Sequence, residues 1–212
     1  MNSYQQFCGV AKALDLLGER WTLLILRDLL LGPRRYSDLL CGLRGITTNL
    51  LAKRLKQLTF QGLIEACDLP GTKLARGYQL TNEGRAVEPV VLALGAFGAR
   101  YMAKPSDGET LDPRWAMLSL KRRYRGSLAA GRVAFQVADQ HFAIEFDGER
   151  IAVSDGHLTR PDATLHGAPT PWFALLTRQA SLQQLLSAES LHVQGRKAVL
   201  NSLCKALELK LR

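Results

Sequence analysis

Between Val10 and Tyr101 apolar residues return every three or four positions, the interval at which side chains share one face of an α-helix. From Val133 onward they alternate instead, as in half-buried strands. Val10, Ala11, Leu14 and Leu17 outline a first short helix that Gly18 can end. A second starts near Glu19 and is apolar from Trp21 to Leu31 except at Thr22, Arg27 and Asp28. Such a helix must be covered on several sides, which predicts a place at the centre of a core, and Gly32-Pro33 ends it. Ser37 is a candidate N-cap for a third helix through Leu43, because its hydroxyl can accept a hydrogen bond from an otherwise unpaired amide. After the turn Arg44-Gly45-Ile46, Thr47 can cap a fourth helix to about Gln61, with Gly62 as its stop.

At 100° per residue the fourth helix gathers Leu51, Leu55 and Leu58 on one side, with Leu50 at the margin and Arg54 near the apolar flank. Asn49, Ala52, Lys53 and Lys56 fall on the other side, and no carboxylate occurs between Asp38 and Glu65. Leu63 to Cys67 and Gly77 to Leu80 predict a hairpin around a basic tip that holds Lys73 and Arg76. Thr81 caps another helix, and Val87, Val90, Val91, Leu94, Phe97 and Tyr101 form a wide apolar stripe, with Pro89 as a kink or an effective start. A helix that apolar calls for a partner, either another domain or a second subunit.

The stretch from Lys104 to Glu109 is polar, holds Pro and Gly, and has no periodicity, so a domain border is expected there, between a helical part at 1–104 and an α+β part at 105–212. In the second part Trp115 to Arg125 carries the basic run Lys121 to Arg125, read as a solvated helix face. Val133, Phe135 and Val137 alternate, as do Phe142, Ile144 and Phe146, which predicts a hairpin around Asp139-Gln140-His141. Further short strands of a meander are expected at Arg150 to Ser154, His157 to Arg160 and Ala163 to Gly167. Helices return at Pro171 to Leu176, after a Ser181 cap, and from Arg196 to about Leu211.

Composition narrows the class. A chain of 212 residues with 47% hydrophobic and 22% charged residues suits two ordinary globular domains. No charge-free stretch exceeds the 15 residues from Ala163 to Thr177, which Pro169 and Pro171 interrupt, so no membrane span is expected. The start, Met1 to Phe7, has neither part of a secretory signal, and a cytoplasmic location is the expectation. The net charge of +9 favours polyanionic partners. Residues 1–104 hold 14 basic and 8 acidic side chains against 14 and 11 in the rest, so the surplus leans to the first half. Four cysteines without a CxxC pair indicate neither a zinc knuckle nor a disulfide framework.

Helix, turn, outward-polar helix and basic hairpin make a winged helix-turn-helix plan, in which one helix enters the major groove and the wing touches the flanking backbone. An Asn amide can bond an adenine edge and Thr can meet a base, so Ser37, Thr47, Thr48 and Asn49 are candidate base readers or close neighbours of them. Arg34, Arg35, Lys53, Lys56, Lys73 and Arg76 are candidate phosphate contacts. Over residues 7–101 the chain resembles the HxlR-type winged-helix transcriptional regulators of bacteria, through Cys8 to Leu29, Gly32 to Ser37, Gly45-Ile46-Thr47, Leu51 to Leu58, Gly62-Leu63-Ile64 and Tyr78 to Gly84. The resemblance implies a homodimer on double-stranded DNA whose terminal helices pair between subunits, and two-fold half-sites in the operator. Some members of that family sense oxidants at the first cysteine, usually followed by Pro; here Gly9 follows Cys8, which leaves Cys8 between redox sensing and a plain seam position.

Residues 114–211 resemble a sterol-carrier-protein-type domain, on Pro161 to Leu165 leading to the helix pair and Leu191 to Gly195 before the last helix. The expected fold is thus α+β, a winged helix-turn-helix domain followed by a small sterol-carrier-like α+β domain. That second resemblance implies an apolar cavity for a hydrophobic small-molecule effector; Phe135, Phe142, Phe146, Trp172 and Phe173 are read either as its lining or as plain core. Motifs for a nucleophile elbow, a phosphate loop, a dinucleotide or a zinc protease are absent from the sequence, so neither an enzyme nor a cofactor is indicated. The four histidines show no ligand spacing and no metal site is expected. The competing reading is a lipid-type carrier whose basic first domain is a tether.

Overall fold

The computed structural model describes residues 3–69, 75–102, 109, 112–127 and 129–211. Its chain divides into two compact units, Met1–Phe97 and Gly98–Arg212. In the first, α1 (Gly9–Leu17), α2 (Thr22–Leu29), α3 (Tyr36–Gly42) and α4 (Thr48–Phe60) precede an antiparallel hairpin of β1 (Ile64–Asp68) and β2 (Arg76–Leu80). The short α5 (Asn82–Arg85) and then α6 (Glu88–Gly98) complete it. Ile25, Leu26, Leu29, Leu39, Leu51 and Leu55 are at most 2% exposed, so α2 lies at the centre of this core, as its all-round apolar sequence requires.

Local chemistry sets the element ends. Thr47 Oγ1 accepts from the Leu50 amide at 3.3 Å and starts α4, and Gly62 at φ +72° takes the left-handed turn that stops it. Thr81 caps α5 by accepting from the Gly84 amide at 3.0 Å. Ser37 is not a cap: Arg35 occupies that position, Asp38 accepts from the Arg35 amide at 3.3 Å, and Ser37 lies exposed inside α3. The carboxylate in the first turn thus closes the N-cap amide of Arg35, a different donor from the amides two or three residues on that a Ser37 hydroxyl was expected to take up. The helix expected near Glu19 begins at Thr22, because Trp21 takes a left-handed conformation at φ +79°. The hairpin tip with Lys73 and most of the expected domain border lie outside the described residues.

In the second unit α7 (Pro113–Arg123) leads into β3 (Gly131–Val137), β4 (Gln140–Phe146) and β5 (Ile151–Asp155). Then come β6 (Ala163–Gly167), α8 (Pro169–Leu176), α9 (Leu182–Ser187), β7 (Leu191–Gly195) and α10 (Lys197–Ala206). The sheet runs β5-β4-β3-β6-β7, with β3 and β6 parallel and the other neighbours antiparallel. Phe135, Phe142, Val133 and Ile144 face a core that Trp172 closes, its ring 4.5 Å from that of Phe135.

Four expectations change here. His157 to Arg160 form no strand, because residues 156–162 must carry the chain from edge strand β5 past β4 and β3 to β6. The meander therefore stops at β5, and Leu191–Gly195 supplies the fifth strand. The hairpin turn is Ala138-Asp139, with Gln140 and His141 already in β4. The last helix ends at Ala206, after which the chain turns back and its Lys210 and Leu211 carbonyls accept from the Leu182 and Gln183 amides at 2.8 and 3.1 Å. Lys121, Arg122 and Arg123 are half-buried rather than solvated, and the Arg123 guanidinium donates to the Leu176 carbonyl. No helix of the described residues is long and apolar enough to cross a membrane.

Asp162 ties the sheet together just before β6. Its carboxylate accepts from the Arg132 amide at 2.8 Å and from the Arg196 guanidinium, and its own amide donates to the Arg132 carbonyl at 2.7 Å. The Arg132 amide, with the Arg196 guanidinium beside it, holds the carboxyl below the usual carboxylate range. A depressed folded value means that the stabilisation is present above the unfolded value of about 3.9 and fades as pH falls through the lower folded one. Asp162→Asn is expected to lower the Tm of the second unit at neutral pH and to flatten its decline below about pH 4, measured by thermal melts across acid pH. A parallel acid decline in both proteins would contradict this role.

Candidate nucleic-acid interface and ligand cavity

The fourth helix is held from behind and presented from in front. Leu51, Leu55 and Leu58 are 0, 2 and 1% exposed, so the helix cannot roll without exposing them. Arg54, 7% exposed, fixes the same flank. Its guanidinium donates to the Arg20 carbonyl at 3.2 Å, to Gln57 Oε1 at 2.6 Å and to Glu19 Oε2 at 2.5 Å, joining α4 to the turn between α1 and α2. The helical projection placed Arg54 near the apolar flank, but Arg20 and Glu19 are 34 and 35 residues away and no local pattern names them. Tyr36, given no role of its own in the sequence reading, donates its hydroxyl to the Thr48 carbonyl at 2.8 Å and ties α3 to the first turn of α4.

With that side sealed, Thr47, Thr48, Asn49, Lys53 and Lys56 are exposed. Asn49, Lys53 and Lys56 share a stripe with Ala52, within about 100° of arc at helical spacing. Arg35 and Ser37 are exposed at the start of α3, and Arg76 is exposed at the start of β2. Arg34 is different. Its amide and carbonyl pair with Tyr78 at 2.9 Å each, so its backbone is a short third strand beside the hairpin, and its side chain is half-buried. Lys73 lies outside the described residues.

The apolar stripe behind the hairpin is exposed in the single chain. Val90, Leu94 and Phe97 of α6 are 43, 48 and 57% exposed, and Phe7, Val10 and Leu14 at and before α1 are 108, 69 and 42% exposed. Cys8 caps α1 in the open, where the Ala11 and Val10 amides hold its thiol below the ordinary value. Cys204 is the opposite case, buried in α10 and pushed up to about 12.

In the second unit the five predicted ligand residues do not gather around the sizeable cavity. Phe135, Phe142, Phe146 and Trp172 are buried core, 1 to 5% exposed, and Phe173 is half-buried. A cavity of about 670 Å³ opens instead among α9, β7 and α10, walled by Leu182, Leu186, Val193 and Leu200, with Lys197 and Lys205 among its lining. The aromatics form core because their strands pair directly, Phe135 opposite Phe142, beneath Trp172. Among the described residues no group of three or more His, Cys, Asp and Glu is arranged to hold a metal ion.

Arg54→Ala is expected to lower the stability of the first unit by about 1–3 kcal/mol, mainly through lost hydrogen bonds, since Glu19 is largely exposed and solvent screens the ion pair. Lys53→Ala should leave the melt unchanged; equal melting losses in the two variants would contradict this division. Iodoacetamide at about pH 7.5 should modify Cys8 ahead of Cys204, which reacts only on unfolding, as read by mass mapping of the alkylated peptides. Labelling of Cys204 in the folded chain at the rate of Cys8 would contradict the burial.

Each half of the chain matches a known family. The family model described as HxlR-like helix-turn-helix matches residues 16–106, and that of the SCP-2 sterol transfer family matches residues 119–208. The HTH-type transcriptional regulator sll1512 of Synechocystis is 35% identical over 99 residues, 47% of this chain and 73% of that protein. The HTH-type transcriptional regulator Mb3122 of Mycobacterium bovis is 36% identical over 116 residues, 50% of this chain and 73% of that protein. YodB of Bacillus subtilis is 34% identical over 95 residues, 45% of this chain and 84% of that protein. The solved reduced form of YodB superposes with a TM-score of 0.39 at 32% identity, covering 48% of this chain and 100% of that one. By its first half the chain belongs to the HxlR-like helix-turn-helix family, whose relatives are transcriptional regulators, and its second half is a domain of the SCP-2 sterol transfer family.

Proposed function

We propose that this chain is a homodimeric, sequence-specific regulator in which α4 reads the major groove and a hydrophobic small molecule in the second unit biases DNA binding. The carrying observation is the carboxylate-free outer stripe of α4, with Asn49, Lys53 and Lys56 exposed while its leucine face is sealed. Asn49, with Thr47, Thr48 and Ser37 nearby, is assigned to base edges, and Arg35, Lys53, Lys56 and Arg76 to phosphates. Lys73 completes the wing in this reading. Arg34 is assigned to positioning the wing through its backbone pairing with Tyr78.

Residues 1–104 serve DNA and dimerisation, and residues 105–212 serve the effector; the family matches, which end at 106 and resume at 119, support that border. The exposed apolar residues of α1 and α6 support a seam between two copies, since faces of that kind are usually covered. A two-fold dimer requires half-sites about one helical turn apart or multiples of it. The cavity beside α9 and α10 supports a hydrophobic ligand, and Lys197 and Lys205 suit one with an anionic end. Cys8 is accessible enough for redox control of the same seam.

Asn49→Ala should cost about 1–3 kcal/mol on a cognate duplex and almost nothing on random DNA, whereas Lys56→Ala should weaken both and reduce the salt slope by about 1. Fluorescence anisotropy against the two duplexes over a salt series measures both. Equal losses on both duplexes for Asn49→Ala would overturn its role as a base reader.

A further inference from the structure

All four histidines of the chain lie in the second unit, and they stand in two close pairs. The rings of His141 and His157 have centroids 3.8 Å apart at 36°, and those of His166 and His192 are 5.1 Å apart at 27°. Strand register aligns the pairs. Gln136 on β3 is opposite His141 on β4 and beside His166 on β6, and His166 is opposite His192 on β7. Side chains opposite one another across paired strands share a face, so three of the imidazoles lie in one row, and His157, just after β5, adds the fourth through its ring contact. The neighbouring residue Phe135 packs on Trp172, so the row occupies the sheet face away from that helix. His157 and His192 are exposed, and His141 and His166 are half-buried.

Stacking alone recovers little on so wet a face, because neither pair is buried. Donor chemistry offers more. Imidazole nitrogen suits late first-row divalent ions, and neither pair contains the oxygen cage that calcium or magnesium needs. His141 also carries the outer support typical of a metal ligand: its Nδ1 lies 3.2 Å from the Asp139 carbonyl oxygen. A carbonyl oxygen only accepts, so Nδ1 holds the proton and Nε2 keeps its lone pair for a ligand bond.

We propose that each histidine pair binds one late first-row divalent transition-metal ion, His141 with His157 and His166 with His192. One strand, carrying Gln136, stands between the pairs, whose backbones are two strand spacings or about 10 Å apart, so each ion is assigned to the two rings that already lie together. Two protein ligands per ion leave the other coordination positions to water, which makes the sites open and exchangeable. The exposed member of each pair has the rotamer freedom to close onto an ion held by its half-buried partner. The site is independent of the DNA reading and of the cavity, neither of which uses a histidine.

Calorimetric titration of the untagged full-length chain with nickel chloride tests it. Two ions per chain are expected, one after His141→Ala, one after His166→Ala, and none in the double variant, with circular dichroism confirming the fold. Should alanine at a half-buried position disturb the sheet, His157→Gln and His192→Gln at the exposed partners must give the same losses. An absence of saturable binding, a wild-type stoichiometry other than two, or ions retained by the double variant would each overturn the assignment.

Discussion

Burial of one leucine face fixes what the first unit can do. Leu51, Leu55 and Leu58 together bury almost all their surface, and returning one such side chain to water costs about 1.5–3 kcal/mol. That cost sets the rotation of α4 about its axis. Once the rotation is set, Asn49, Lys53 and Lys56 have nowhere to point except away from the core. Arg54 sharpens the constraint by spanning to the turn between the first two helices, and Tyr36 fixes the first turn. The reading role proposed for α4 needs a rigid presentation, and here hydrophobic packing and directional hydrogen bonds reinforce one presentation.

The second unit obeys a different constraint. Its sheet places the parallel pair β3 and β6 at the centre, and the chain must cross from edge strand β5 to reach β6. Asp162 receives the chain at the end of that crossing and joins it to both Arg132 and Arg196. The same topology gathers side chains that are distant in sequence: the aromatics meet on the covered face, and the histidines meet on the other. Core and candidate binding surface are thus two faces of one register.

Much of this was legible in the sequence because the deciding interactions are local. Thr47 as cap and Gly62 as stop bracket the fourth helix, and helical spacing alone separates Leu51, Leu55 and Leu58 from Asn49 and Lys53. The strand at Ala163–Gly167 and the cap at Ser181 were legible for the same reason. What was not legible depended on alternatives of similar energy or on long-range pairing. Asp38 and Ser37 can both serve the start of α3, and sequence does not rank them. His157 to Arg160 alternate well enough for a strand until the crossover claims them. The aromatic residues could wall a cavity or fill a core, and only the direct pairing of Phe135 with Phe142 under Trp172 decides for the core.

That α4 reads a specific sequence as one half of a two-fold dimer is tested most directly by selecting bound duplexes from a fragmented genomic library with the full-length protein at two salt concentrations. Phosphate contacts alone weaken steeply with salt and favour no sequence, whereas base contacts retain a preference. The predicted result is a shared site of two related half-sites that survives the higher salt. Recovery of unrelated fragments only, all lost as salt rises, would contradict it.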